Sequence, residues 1–121
     1  MTGAEPEALL PRPSVRVTRL TRSEREWLAR GRNVQLDVRV NRAGTVRLTA
    51  TARIAKRTRV IARDSERASR AGTERLRMRL SRAARARLAG GKALHVTVEV
   101  RFTGVREPMR LAFTLRPAGD R

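Results

Sequence analysis

The 121-residue sequence contains no cysteine and one histidine, and its aromatic content is only 2%. Without cysteine, neither a disulfide framework nor a thiolate metal site is available. The lone His95 has no second histidine or cysteine to complete a metal site or a nucleophile pair. Phosphate-binding glycine loops and spaced carboxylate pairs are also missing. The sequence therefore predicts no catalytic residue, no cofactor-binding residue and no metal ligand, and hence a protein that is not an enzyme.

Long apolar runs are missing as well. None approaches the ~20 residues that cross a bilayer, so we expect no membrane insertion. Residues 1–10 lack the basic region and the apolar core of a secretory signal. From this we expect either a protein that stays inside the cell or a mature or excised piece of a longer one.

Acidic residues are few compared with basic ones. The chain has 29 Lys and Arg against 11 Asp and Glu, a formal net charge of +18, and its only lysines are Lys56 and Lys92. High-GC codon usage would explain arginine in place of lysine, but it would not explain the excess of base over acid. Such an excess indicates either an anionic partner or a solvated basic surface whose acidic partner domains lie elsewhere. The composition favours neither interpretation over the other.

The clearest structural pattern lies in residues 92–103. Apolar and polar residues alternate there without a break, and the apolar ones are Leu94, Val96, Val98, Val100 and Phe102. A period of two over this length predicts a half-buried β-strand. Its β-branched and aromatic residues suit a pleated face with one side on a core.

Six further short strands and two short helices are predicted around this central strand. The strands are expected at residues 14–20, 33–40, 46–54, 58–63, 76–80 and 111–115. The helices are expected at 21–31 and 81–89, each between an N-capping residue and a glycine. Residues 41–44 are interpreted as a hairpin turn with Gly44 at positive φ, and residues 64–73 as an exposed loop.

This pattern predicts an all-β fold, a two-sheet antiparallel immunoglobulin-like sandwich of about seven strands with two short capping helices. The length fits one domain. We expect a flexible tail at residues 1–13, the sandwich at 14–117 and a second tail at 118–121.

An internal repeat supports the two helices. Shifted by 60 positions, residues 20–40 align with 80–100 without a gap, and Leu28 then falls on Leu88. Thr21 falls on Ser81, which favours Thr21 with Glu24 as the capping box over the alternative that starts at Ser23. The repeat predicts that each helix plugs one open end of a pseudo-symmetric sandwich with its leucine. The other interpretation is a pair of equivalent binding sites.

Residues 80–91, which are rich in Arg and Ala and are followed by an alternating Val/Thr strand, resemble a known class of module. They are similar to the Arg-rich immunoglobulin-like or fibronectin type III-like modules of secreted and cell-surface proteins in high-GC bacteria. Residues 20–50 fit the same pattern, so the resemblance covers about 20–117. It implies a non-catalytic spacer or adhesion module at an extracellular or cell-surface location.

Three other features have competing interpretations. Trp27 is either an exposed ring for stacking on a base or sugar, or a partial cap on the core, which we favour because it is the only tryptophan. The carboxylates of Asp64 and Glu66 suggest a cation loop, but the arginines around them favour ionic pairing within the loop. His95 has the outward phase of its strand, which predicts a surface histidine.

Arginine recurs at strand positions whose phase points away from the core. These candidate polyanion-binding residues are Arg39, Arg47, Arg53, Arg75, Arg77, Arg79, Arg101, Arg110 and Arg116. Like charges that face one another across strands cost stability, so a polyanion that neutralises them would be favoured. Other protein domains or an acidic polymer are the expected partners, and binding to nucleic acid would be independent of base sequence.

Overall fold

A computed structural model describes residues 12–117, which form seven strands in two antiparallel sheets and two short helices. The predicted all-β two-sheet sandwich is confirmed. The strands are β1 (Val15–Val17), β2 (Val34–Val40), β3 (Gly44–Ile54), β4 (Arg57–Ala68), β5 (Gly72–Met78), β6 (Leu94–Phe102) and β7 (Met109–Leu115). The helices are α1 (Arg22–Ala29) and α2 (Arg82–Ala89). Of the predicted tail at 1–13, residues 1–11 lie outside the described residues, as does the predicted tail at 118–121. The Arg12 carbonyl accepts a hydrogen bond from Nδ2 of Asn41 at 2.6 Å.

The two sheets differ in width. Sheet A has the strand order β1-β2-β5, and sheet B has the order β4-β3-β6-β7. All neighbouring strands are antiparallel. The strand predicted at 92–103 is β6, which lies inside sheet B between β3 and β7. Sheet A therefore covers the inner face of sheet B with one strand fewer, and β1 is only three residues long.

The core lies between the sheets and is made of the alternating apolar residues of both. In β2 and β6 every second residue is buried, and the residues between them are exposed or half-buried. Val38 and Val98, at the middle of these strands, are fully buried. Period-two patterning thus places one side of each strand on the core and the other in water.

The connection at residues 41–43 is not the predicted hairpin turn. β2 belongs to sheet A and β3 to sheet B, so this short segment carries the chain from one sheet to the other. Gly44 is also not at positive φ. Glycine is required at this position for a different reason. A Cβ on residue 44 would lie 2.7 Å from Cε1 of Phe102, which is closer than Cβ atoms come to other heavy atoms in real proteins. The glycine lets the start of β3 pass against the Phe102 ring.

The predicted loop at 64–73 is wrong. Residues 64–68 are the end of β4, which pairs with β3 as far as Ala68 opposite Gly44, and Gly72 and Thr73 begin β5. The register of β4 against β3 shifts by one residue at Ile61. Two consecutive residues, Ile61 and Ala62, are therefore both buried, and this interrupts the period-two pattern. β4 is also an edge strand, so polar side chains are tolerated on both of its faces.

Both helices begin and end as the repeat predicts. In α1 the Thr21 hydroxyl accepts from the Glu24 N–H at 3.1 Å, and the Glu24 carboxylate accepts from the Thr21 N–H at 2.8 Å. Ser81 caps α2 in the same way, without a carboxylate partner. Gly31 and Gly91 follow the helices at φ +81° and +84°. Each helix therefore ends in a left-handed glycine, as is common for helix C-termini.

The two helices lie at the same end of the sandwich, which corrects the prediction that each plugs a different end. β2 ends close to where β3 begins, and the beginning of β3 pairs with the end of β6. The ends of β2 and β6 therefore lie at the same end of the sandwich, and the two strands run in the same direction. The helices that precede these strands therefore meet at the opposite end. The Arg85 side chain accordingly passes 3.0 Å from the position of a Cβ on Gly31. Leu28 and Leu88 are both buried, as predicted for plugs.

The β3–β4 hairpin turns through two residues, Ala55 and Lys56, between the paired Ile54 and Arg57. Both have positive φ, 53° and 69°. Two-residue hairpins with positive φ at both positions are type I′ turns, which favour Asn-Gly. This chain makes the turn with two residues that have a Cβ, and so stores backbone strain there.

Candidate polyanion interface

All nine predicted arginines are exposed. The structure does not bring them together on one surface, however. Sheet A carries Arg39, Arg75, Arg77 and, just past β5, Arg79. Sheet B carries Arg47, Arg53, Arg101, Arg110 and, just past β7, Arg116. Since the outer faces of the two sheets point in opposite directions, a single ligand surface cannot contact all nine at once.

The outer face of sheet A is narrow. Asp37 lies opposite Arg75, and their side chains form an ion pair at 3.8 Å. Arg39 lies between Arg16 on β1 and Thr73 on β5. Arg16 therefore shares a face with the sheet A candidates.

The outer face of sheet B is wider and more basic. We call this surface the sheet B face. It contains six arginines, Arg47, Arg53, Arg63, Arg67, Arg101 and Arg110, and one carboxylate, Glu99. Arg47 on β3 lies directly opposite Arg101 on β6. Two like charges in register across neighbouring strands repel each other, and an anion bound between them would relieve the repulsion.

Glu99 organises two of these arginines. Its Oε1 accepts from Nε of Arg101 at 2.8 Å, and its Oε2 lies 3.4 Å from Nε of Arg110. The Glu99 side chain is 28% exposed, whereas the two arginines are 60% and 66% exposed. Ion pairs as exposed as these contribute roughly 0–1 kcal/mol to stability. Each guanidinium has five N–H donors, so one bond to Glu99 leaves most of its capacity for a ligand.

Threonines fill the space between the arginines of the sheet B face. Thr49 lies between Arg63 and Glu99, and Thr51 lies opposite Thr97. Hydroxyl groups, like guanidinium groups, donate hydrogen bonds to the oxygens of phosphate or sulfate. The face thus offers two kinds of donor to an oxyanion polymer, with a single acidic side chain among them.

Two members of the sheet B face, Arg63 and Arg67, were missed by reasoning from the sequence. Both lie on β4, opposite Thr49 and Thr45. Arg63 is the last residue of the predicted strand 58–63, and Arg67 lies in the predicted loop 64–73. Their alternation with Asp64 and Glu66 shows no contrast of polarity, since the residues on both phases are charged. No pattern in the local sequence separates the outward from the inward positions.

The remaining candidates take structural or exposed positions. His95 is exposed, as predicted, and its Nδ1 is 2.9 Å from the Thr114 hydroxyl. Trp27 is 45% exposed, which agrees equally with a partial cap on the core and with a ring that is accessible for stacking, so both interpretations stay predictions. Asp64 lies in a strand and not in a loop, and its Oδ2 accepts from the backbone N–H of Arg77 at 2.7 Å. This bond links β4 to β5, where intraloop ionic pairing was expected.

No protein-family model, curated protein or solved structure matches this chain. Within residues 12–117, no helix is long and apolar enough to cross a membrane. The same residues contain no group of three or more His, Cys, Asp or Glu side chains that could hold a metal ion.

Proposed function

We propose that the chain is a non-enzymatic immunoglobulin-like interaction module that binds an acidic polymer on its sheet B face. One observation carries the proposal: six exposed arginines surround one carboxylate on this face, and Arg47 and Arg101 are in register with each other. A surface with so much unneutralised charge costs folding stability, and a bound polyanion recovers that cost.

The geometry of the face favours a ligand recognised through its charged backbone. Positions two apart on a strand are about 6.7 Å apart, and neighbouring strands are about 4.8 Å apart. The arginines therefore form a two-dimensional lattice of donors and not a pocket. A polymer with repeated phosphate, sulfate or carboxylate groups can contact several of them at once and release its counterions.

Two sources supply this ligand chemistry. The resemblance to modules of secreted and cell-surface bacterial proteins favours an acidic polymer of the cell wall or of a matrix outside the cell. Nucleic acid presents the same repeated anion. Because the sheet B face has no element that would enter a groove to contact base edges, binding to DNA would be independent of base sequence.

The proposal is tested with two variants that lower the net charge equally. The first changes Arg47, Arg53 and Arg101 on the sheet B face to serine. The control changes three exposed arginines of the loops at the end opposite the helices to serine, namely Arg42, Arg70 and Arg106. Binding of fluorescent double-stranded DNA and of an anionic polysaccharide is measured by anisotropy at low salt.

The sheet B face variant should lose affinity for both polymers much more than the control does. If the polysaccharide alone loses affinity, the cell-wall type of ligand is favoured, and if DNA alone does, nucleic acid is favoured. Equal losses in the two variants would contradict the proposal, because net charge would then act without a defined site. Denaturation midpoints of both variants show that the comparison is between folded proteins.

A further inference from the structure

A cleft of about 230 Å³ opens beside β7, at the border of the sheet B face. Its lining residues are Arg19, Leu20, Arg25, Arg110, Leu111, Ala112 and Phe113. The four from β7 are consecutive in sequence. Successive residues of a strand point to opposite faces of its sheet, so four in a row line one cleft only where it opens onto the edge of the strand. That edge is where backbone N–H and C=O groups project.

β7 is the last strand of sheet B, and among residues 12–117 its backbone pairs only with β6. The other long edge strands, β4 and β5, lie against each other. Asp64 of β4 accepts from the backbone of β5, and the Ser81 N–H donates to the carbonyl of Ile61 at 2.8 Å. β1, the remaining edge, has three residues. β1 and α1 lie near β7 but form no backbone hydrogen bond with it. Within residues 12–117, the seven-residue edge of β7 is therefore a template for another strand.

The cleft combines an apolar floor with a basic rim. Leu111 and Phe113 face the interior but stay half-buried, because the narrower sheet A does not fully cover them. Leu20, also half-buried, completes the floor. The three arginines of the cleft supply the rim, and no acidic residue among residues 12–117 lines it. A ligand that suits the cleft must therefore carry both apolar and anionic groups.

We propose that an extended acidic peptide of a partner protein adds to sheet B along the free edge of β7. Its main chain would take up the unpaired backbone groups, as in other cases of β-strand addition. Because side chains alternate along a strand, its apolar residues would lie on Leu111 and Phe113. Its acidic residues would lie by Arg110 on one face and near Arg19 and Arg25 at the end. This site shares Arg110 with the sheet B face, and its other lining residues lie outside that face.

The first test uses synthetic peptides as probes. A fluorescent eight-residue peptide that alternates valine with glutamate is compared with two copies, N-methylated at the even or at the odd positions. Only alternate amides of an added strand face its neighbour. One methylated peptide should therefore lose about tenfold or more in affinity, while the other retains most of it. If methylation has no effect at either set of positions, the peptide is held by charge alone and strand addition is wrong.

The second test locates the peptide on the protein. Arg19→Ser with Arg25→Ser is compared with Arg30→Ser with Arg32→Ser, a pair of exposed arginines close to α1 but not in the cleft lining. The first pair should weaken peptide binding several-fold more than the second. Amide hydrogen exchange of Met109–Leu115 should slow when the peptide is bound.

Equal losses in the two double variants would overturn the proposal, and so would unchanged hydrogen exchange in β7. The absence of binding up to about 1 mM peptide would also overturn it, because dissociation constants in that range belong to very weak complexes. Neither pair of substitutions touches the sheet B face. Polymer binding by these variants therefore reports on the proposed function independently of the peptide site.

Discussion

Replacing Ala55-Lys56 with Asn-Gly should stabilise the protein. Both residues hold left-handed backbone, with φ 53° and 69°. That conformation costs roughly 1–2 kcal/mol for a residue with a Cβ, though much less for asparagine and none for glycine. Glycine gives back about 0.5–1 kcal/mol through its greater freedom in the unfolded chain. The free energy of unfolding should therefore rise by about 1–2 kcal/mol.

Urea unfolding monitored by circular dichroism measures this change. The midpoint should increase with no change in the m-value, since the surface exposed on unfolding stays the same. The Asn-Gly variant also removes the Lys56 charge from a strongly basic protein, so Lys56→Gln serves as the control. It removes the charge but keeps a Cβ in left-handed backbone. A midpoint for Asn-Gly no higher than that of the control would refute the type I′ geometry of this turn.

Three further predictions concern the core and the sheet B face. Leu28→Ala and Leu88→Ala should each lower the free energy of unfolding by roughly 2–5 kcal/mol, because both side chains are buried; unchanged denaturant midpoints would place the helices off the core. Gly44→Ala should cost about 1–3 kcal/mol, because its Cβ would lie 2.7 Å from the Phe102 ring, and a thermal melt no lower than that of the parent would contradict this close approach. Arg47→Glu should raise stability by about 0.2–1 kcal/mol, by replacing a like-charge cross-strand pair with an ion pair, and at the same time weaken polymer binding. A loss of stability in that variant would count against the register of β3 and β6.

The strands that have one buried face and one solvent-exposed face were predicted most reliably from the sequence. β6 and β2 alternate without interruption, and the structure places their alternate residues in the core. The capped helices were equally recognisable, because the N-cap and the glycine are local signals that the repeat shows twice. Alternation and helix capping depend on residues that are close together along the chain, so a single sequence is enough to recognise them.

Features that depend on distant contacts were not predictable in the same way. The first half of β4 was predicted as a strand, but residues 64–68 were predicted as a loop, because β4 is an edge strand with charged residues on both phases and an irregular pairing with β3. Whether residues 41–43 form a hairpin or cross between sheets depends on packing of the whole domain, because a short polar connection suits either. That crossing also decides how the outward arginines divide between two faces. Their exposure could therefore be predicted from the sequence, whereas their grouping could not.

The salt dependence of polymer binding tests most directly the claim that the sheet B face is a polyanion site. For duplex DNA, the slope of log affinity against log salt concentration is about −0.9 per phosphate contact. Serine at Arg47, Arg53 and Arg101 should therefore make the slope shallower by about 2.7, if each arginine neutralises one phosphate. The control with serine at three loop arginines should leave the slope close to that of the parent. Identical slopes for the parent and the sheet B face variant would contradict the account, because Arg47, Arg53 and Arg101 would then make no contacts with phosphates of the polymer.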